Sequence, residues 1–207
     1  MLTDRVVAVS RFVRDYLISA GIPSSQVVAV PTGIDLASYA PVVGGGTLRA
    51  ELGLPAGTVL VGTVAILRVK KGHADLLQAA KLVLRRFPEV HFVIAGDGPQ
   101  MQNLLRLIGE LGLASRVHML GLRRDVTNVL QSLDLFALPT HQEALGTAFV
   151  EAGAVGLPVV ATNVDGVPEV VAQGETGVLV SPGDPAALAD AISGFLEDPV
   201  RRRQFGD

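Results

Sequence analysis

The sequence predicts an α/β fold built on a doubly wound parallel sheet with helices on both faces. Three observations carry that expectation. Short Val-rich runs alternate with longer stretches of helical spacing along the whole chain. The runs are apolar at successive positions, as in strands buried on both faces. Hydrophobic residues make up 49% of the 207 positions against 18% charged, enough to bury a sizeable core and to exclude intrinsic disorder. Aromatics are only 4% and Trp is absent, so the core is expected to consist of Ala, Val and Leu. Strict strand–helix alternation with right-handed crossovers makes the sheet Rossmann-like.

In chain order, strands are expected at 5–9 (Arg-Val-Val-Ala-Val), 27–30, 59–65, 91–95, 117–120, 135–138, 158–161 and 178–180. Helices are expected at 11–20, 73–87, 101–112, 126–132, 147–156 and 185–197, and a short one opens at Asp198-Pro199 with Arg201, Arg202 and Arg203 on a solvated face. Residues 31–57 break the rhythm. They hold Pro41, Gly44, Gly45, Gly46, Gly53, Pro55 and Gly57 with no regular period until Thr58. A surface loop and an inter-domain linker both fit, and the linker fits better, because two strands and one helix ahead of it cannot close a core. The expected organisation is residues 1–35 as the tail of another domain, 36–57 as linker and 58–207 as the main domain.

Charge and composition exclude several functions. A net charge of −3 argues against nucleic-acid binding by phosphate neutralisation. With no Cys there is no disulfide framework, thiolate zinc site or cysteine nucleophile, and a reducing compartment, the cytoplasm, is expected. No apolar run reaches the roughly 18 residues of a membrane span, and the start, Met-Leu-Thr-Asp-Arg, lacks the layout of a signal peptide.

Ligands of open α/β sheets bind at the carboxyl ends of strands, beside helix N-termini. Three segments fall there. Gly96-Asp97-Gly98-Pro99 reads either as a tight strand-to-helix turn or as backbone that approaches a ligand, with Pro99 suited to the first helical position. Arg68, Lys70, Lys71 and Gly72 precede a helix, where cations oppose the dipole by ~0.3–1 kcal/mol each. An anion held by Lys71 would relieve that; a solvated loop is the other reading.

The richest segment runs from Pro139 to Glu151. On one continuous helix Glu143 and Glu151 would be offset by ~80° and ~12 Å, poor geometry for a shared proton. A helix that starts near Gly146 instead puts Glu143 on a loop and Glu151 two turns in, both bordering one cleft. The amides of Gly146, Thr147 and Ala148 then become free donors for a phosphate. Glu151, in the apolar context Phe149-Val150-Glu151-Ala152, needs a partner, and ribose hydroxyls can supply one. A surface Glu and a partly buried structural Glu remain the plain alternative. His91 and His118 fall at strand starts and read as structural, whereas His141 lies beside Glu143. No His pair has metal-ligand spacing, and there is no Asp-x-Asp, nucleophile elbow or Walker loop.

Taken in order, these motifs resemble the C-terminal, donor-binding half of family 4 (group 1) retaining glycosyltransferases, which have the two-domain GT-B fold. The landmarks are Asp4-Arg5-Val6-Val7-Ala8-Val9-Ser10, Pro31-Thr32-Gly33-Ile34-Asp35, Lys71-Gly72 and Ala95-Gly96-Asp97-Gly98-Pro99. Arg116-Val117 through Gly121, Asp134-Leu135-Phe136, and Glu143-x7-Glu151 leading into Gly156-Leu157-Pro158 follow. Gly166-Val167-Pro168-Glu169-Val170-Val171, Gly177-Val178-Leu179-Val180 and Pro182-Gly183-Asp184 close the series.

The resemblance implies a role at each matching position. Lys71 would bind the donor diphosphate with backbone around Leu145, Gly146, Thr147 and Ala148, and Gly98 would lie at the donor site. Glu143 would touch the transferred sugar, so that Glu143 and Lys71 are the catalytic residues. Glu151 would accept from the nucleotide ribose, and backbone near Leu122 would meet the base. Family members retain anomeric configuration and need no metal or other cofactor, because positive charge and a helix dipole stabilise the departing diphosphate.

Two departures stand out. The family commonly has Arg five residues before the phosphate Lys, where this chain has Ile66. A lost charge-assisted hydrogen bond costs ~1.5–3 kcal/mol. Arg68, two residues on and on the same face of an extended segment, is expected to take over part of that role. The second departure is the lack of most of an acceptor domain. The chain is therefore expected to be a piece of a longer parent, to bind a nucleoside-diphosphate sugar weakly, and to transfer little alone. A sugar or lipid-linked acceptor would belong to the other domain, the parent is expected to work peripheral to the inner face of a membrane, and the exposed first ~35 residues invite self-association. A nucleotide-sugar epimerase of the same architecture and a non-catalytic nucleotide-binding module are the competing functions.

Overall fold

The computed structural model describes residues 4–41 and 45–206; residues 1–3, 42–44 and 207 of the expected domains and linker lie outside them. The elements are β1 (Val6–Ala8), α1 (Arg11–Ser19), β2 (Val27–Ala29), α2 (Leu48–Glu51), β3 (Leu60–Val64) and α3 (His73–Arg86). They continue with β4 (His91–Ala95), α4 (Met101–Leu111), β5 (Val117–Gly121), α5 (Val126–Gln131), β6 (Leu135–Leu138) and α6 (Thr147–Ala154). The chain closes with β7 (Val159–Thr162), β8 (Gly177–Val180), α7 (Pro185–Glu197) and α8 (Pro199–Gln204). Every expected strand and helix forms, with ends shifted by a residue or two where terminal turns fray.

Six strands make one parallel sheet in the order β5-β4-β3-β6-β7-β8. Counted from β3 this is the doubly wound order 3-2-1-4-5-6, and the direction of winding reverses between β3 and β6. Alternate residues feed two cores. Val61, Phe92, Ile94, Leu135, Ala137 and Val160 face the cluster under α3, α4 and α7. Leu60, Val93, Phe136, Leu138, Val159 and Ala161 face the cluster under α5 and α6. This double burial is why the strands read as unbroken apolar runs. The expectation of an aromatic-free core is corrected: Phe92, Phe136, Phe149 and Phe195 are among the largest fully buried side chains. Phe136 and Phe149 meet edge to face, with ring centroids 5.9 Å apart. The expected solvated Arg face at the C-terminus is also more than that, since the Arg201 guanidinium lies 5.3 Å from the Phe195 ring and 5.2 Å from the Phe205 ring.

β1 and β2 pair in parallel as a separate two-stranded sheet crossed by α1. This unit buries little and leaves Val7, Phe12, Tyr16, Val28 and Val30 exposed. Within the segment read as a linker, residues 36–39 form a 3-10 turn and α2 packs onto the main sheet. Leu48 is fully buried in the core under α5. Arg49 donates from Nη1 to the Ser132 carbonyl at 2.6 Å, and its Nη2 meets Asp134 Oδ2 at 2.5 Å. Asp134 also accepts from the Leu60 amide at 2.8 Å, which ties α2 to the start of β3. Residues 45–57 are thus part of the main domain's packing.

Candidate functional site

The reversal of strand order opens a crevice between the loops that follow β3 and β6. The first loop turns sharply, with the Arg68 amide bonded to the Ile66 carbonyl at 2.9 Å, and ends in a 3-10 turn at Val69–Lys71. Gly72 follows in the left-handed region, φ 68°, and opens α3. The second loop crosses it: the His141 amide and the Thr140 hydroxyl both donate to the Lys70 carbonyl, at 2.6 and 2.9 Å. This crossing delivers Lys71 Nζ to Glu143 Oε2 in a close ion pair, and both side chains are only 15% exposed.

A cavity of about 220 Å³ is lined by Val64, Ala65, Ile66, Lys71, Glu143, Thr147, Ala148 and Glu151. It therefore gathers five of the sequence-predicted residues. Gly146 precedes α6 with φ 93° and no side chain caps the helix. Among the described residues the amides of Thr147 and Ala148 have no backbone acceptor, which suits them to an anion. The Glu143 backbone is held on both sides: its amide donates to Asp165 Oδ2 at 2.8 Å and its carbonyl accepts from the Gly166 amide at 3.1 Å. Glu151 has a neighbour that sequence reasoning missed. Tyr39 reaches it from the 3-10 turn at 36–39, and burial, followed by the hydrogen bond and charge of Glu151, pushes the Tyr39 phenol up to about 12.

A second, more apolar cavity of about 340 Å³ adjoins the first and shares Val64, Ala65 and Ile66 with it. Leu122, 72% exposed, stands on its far wall with Arg123. Arg123 is held by Glu51 at 2.8 Å and Asp125 at 2.5 Å. The hydrogen bonds of Arg123 and Asn128 hold the Asp125 carboxyl well below the usual carboxylate range.

Three predicted residues lie elsewhere. Arg68 lines a separate cavity of about 90 Å³ with Gly72, His73, Asp75, Gln100 and His141. The expectation that Arg68 faces the same way as Ile66 is corrected, because the turn from Ile66 to Arg68 is not extended backbone. Gly98, φ 154°, packs against the Leu67 backbone, where a Cβ would lie 2.7 Å from the carbonyl oxygen. Leu145 is buried, 4% exposed, and is not among the residues that line the crevice. His141 pairs through Nε2 with Asp75 Oδ2 at 2.6 Å. His91 and His118 stack at the amino ends of β4 and β5, with ring centroids 5.1 Å apart. The residues missed by sequence, Tyr39 and Asp165, gave only weak signals: an Asp-Gly turn dipeptide at 165–166 and a lone aromatic among loop residues.

An α/β domain of this strand order, with uncapped helix amides and a lysine at its switch point, is a Rossmann-like domain with a crevice suited to an anion. The chain belongs to the glycosyl transferases group 1 family, whose model matches residues 46–207, and the Glycosyltransferase Family 4 model matches residues 2–38. It is 34% identical over 189 residues to a D-inositol 3-phosphate glycosyltransferase of Corynebacterium urealyticum, covering 86% of this chain and 45% of the relative. It is 33% identical over 213 residues to the GDP-mannose-dependent alpha-(1-6)-phosphatidylinositol monomannoside mannosyltransferase of Mycolicibacterium smegmatis, covering 98% of this chain and 56% of that one. Among solved structures, Anabaena Alr3699/HepE in complex with UDP-glucose superposes with a TM-score of 0.91 at 30% identity, over 98% of this chain and 57% of that one. The chain thus spans about half the length of the curated relatives it matches. Among the described residues no helix is long and apolar enough to cross a membrane.

Proposed function

We propose that this chain binds a nucleoside-diphosphate sugar and forms the donor half of a retaining, metal-independent glycosyltransferase, with little transfer by itself. One observation carries the reading: Lys71, the free amides at the start of α6, Glu143 and Glu151 line a single crevice beside an apolar pocket. The base fits the apolar pocket against backbone near Leu122, and the diphosphate then crosses Ile66 to Lys71 and the Thr147 and Ala148 amides. Glu151 accepts from the ribose and Glu143 from the sugar. As the bond to the sugar breaks, negative charge grows on the departing diphosphate. Lys71 and the α6 amides face that charge, which is the work a divalent cation performs elsewhere.

The UDP-glucose held by the Anabaena protein and the GDP-mannose dependence in the mycobacterial relative's name both support a nucleoside-diphosphate sugar, and leave the base to experiment. In this reading residues 1–35 belong to the acceptor domain of a longer protein, and the stretch from 36 to the start of α2 connects it to the donor domain. That parent works in the cytoplasm on a sugar or lipid-linked acceptor, and the exposed apolar side chains of β1, α1 and β2 meet its remaining half or a second copy.

A thermal-shift titration with UDP, GDP, ADP and dTDP against their monophosphates tests the proposal. Ligand at 100 times its Kd stabilises by ~2.7 kcal/mol, roughly 5–10 °C for a chain of this size. A diphosphate-selective shift that Lys71→Ala and Glu151→Ala abolish is the expected result. No shift with any diphosphate at millimolar concentration would refute it.

A further inference from the structure

We propose that residues 163–171 form a strap that couples the seat of α1 to the Glu143 loop, with Glu169 as its latch and Asp165 as a positioning residue. The inference deepens the donor-site reading and rests on it for its functional meaning. Glu169 ends a 3-10 turn at Val167–Glu169. Its Oε2 accepts the Arg11 amide at 2.9 Å and its Oε1 accepts the Phe12 amide at 2.8 Å. One carboxylate therefore satisfies two orphan donors at the start of α1, where negative charge also meets the positive end of the helix dipole. Burial raises the Glu169 carboxyl, but the two amides and the Arg11 side chain outweigh it and hold the group below its usual range.

Among the described residues, the bonds from Arg11 and Phe12 to Glu169 are the only hydrogen bonds that join residues 4–35 to residues 45–206. The other end of the strap grips the candidate site. Asp165 accepts the Glu143 amide, and the Gly166 amide returns a bond to the Glu143 carbonyl. Asp165 is the only non-glycine residue with positive φ among the described residues, at 48°. A Cβ on Gly166 would lie 2.2 Å from the Ala144 carbonyl oxygen, so the two backbones are in direct contact.

The stretch between the two grips is stiff. Val167 accepts from the Val170 and Val171 amides, the Glu169 amide bonds the Gly166 carbonyl, and Val167 and Val171 are buried in the core. A displacement of α1 that breaks the latch is therefore transmitted to the turn that fixes Glu143, and through Glu143 to Lys71. The coupling is reciprocal, so that whatever orders the Glu143 loop also seats α1.

Amide hydrogen exchange measured by NMR on the ligand-free chain tests this without any assumption about nucleotide binding. In Glu169→Ala the Arg11 and Phe12 amides exchange faster, and so do those of Glu143 and Gly166, by at least threefold, although neither is bonded to the Glu169 carboxylate. In Asp165→Ala the order is reversed, with Arg11 and Phe12 accelerated at a distance. Asp165→Asn, which keeps an acceptor oxygen, returns both sites to wild-type rates, and the Val93 amide inside β4 stays unchanged throughout. If Glu169→Ala acts only at Arg11 and Phe12, the strap does not couple the two and the proposal falls. Should that variant fail to fold, Glu169→Gln, which keeps one acceptor and turns an N–H toward the other amide, must show an intermediate acceleration at all four positions. A separate arm adds UDP or GDP to the wild type. Slower exchange at Arg11 and Phe12 supports both readings; no response at any residue counts against the donor site and leaves the ligand-free result standing.

Discussion

Replacing Gly72 by Ala tests the crossing of two loops on which the candidate site depends. Gly72 has φ 68° and ψ 20°, and a Cβ there would lie 1.8 Å from the Pro139 carbonyl oxygen and 2.8 Å from its carbon. Both obstacles are backbone, so the loop after β6 must retreat. Holding Ala in a left-handed conformation costs ~1–2 kcal/mol. The retreat also removes the bonds from the His141 amide and Thr140 hydroxyl to the Lys70 carbonyl, each ~0.5–1.5 kcal/mol. The combined loss is about 3 kcal/mol, which lowers Tm by roughly 6–12 °C at this chain length. Gly112→Ala is the matched control, because Gly112 has φ 71° and nothing within 4 Å of its Cβ position, so that only the backbone strain remains. Calorimetry on both variants separates contact from strain. Equal melting temperatures would show that the close approach of the loops is not what Gly72 serves.

Two further predictions concern stability. Leu48→Ala should cost about 2–5 kcal/mol in urea unfolding, as for a fully buried leucine; a loss under 1 kcal/mol would return residues 45–57 to a loose linker. His73 is 2% exposed, neither ring nitrogen has a hydrogen-bond partner among the described residues, and burial, with Lys71 adding to it, lowers its pKa to about 4. Because the unfolded chain binds that proton more readily, stability is present above pH ~6.5 and drains away as pH falls toward 4. Between pH 7 and 5.2 His73 alone accounts for a loss on the order of 1–2 kcal/mol. His91 and His118, also lowered chiefly by burial, add to it with the same sign. Urea midpoints across that interval should fall less steeply in His73→Leu, and an unchanged slope would refute the assignment.

Much of the fold was legible because burial on both faces of a parallel sheet writes itself as continuous apolar runs, and the helices between them keep their own period. The main segment of the candidate site was legible for a similar local reason. Gly146 followed by Thr147 and Ala148 marks a helix start, and it places Glu143 outside that helix and Glu151 within it. α2 was not legible: it is four residues long, and it is held by Leu48 in the core and by Arg49 on Asp134, 85 positions away. The orientation of Arg68 was not legible, since it depends on whether residues 66–68 are extended. The Leu67 amide and carbonyl are instead bonded to Asp97 and Gln100, which bend the loop.

By itself, then, the sequence determined the order and type of the elements, the two-faced core and the residues available for an anion site, since all of these follow from side-chain period and local backbone preference. Tertiary structure alone decided which residues meet: Lys71 with Glu143, Tyr39 with Glu151, Asp165 and Gly166 with the Glu143 backbone, and Glu169 with α1. Those pairings join positions from 22 to more than 150 residues apart. They arise from loops docking across the switch point, where contact depends on the packing of the whole sheet and leaves no periodic trace in the chain.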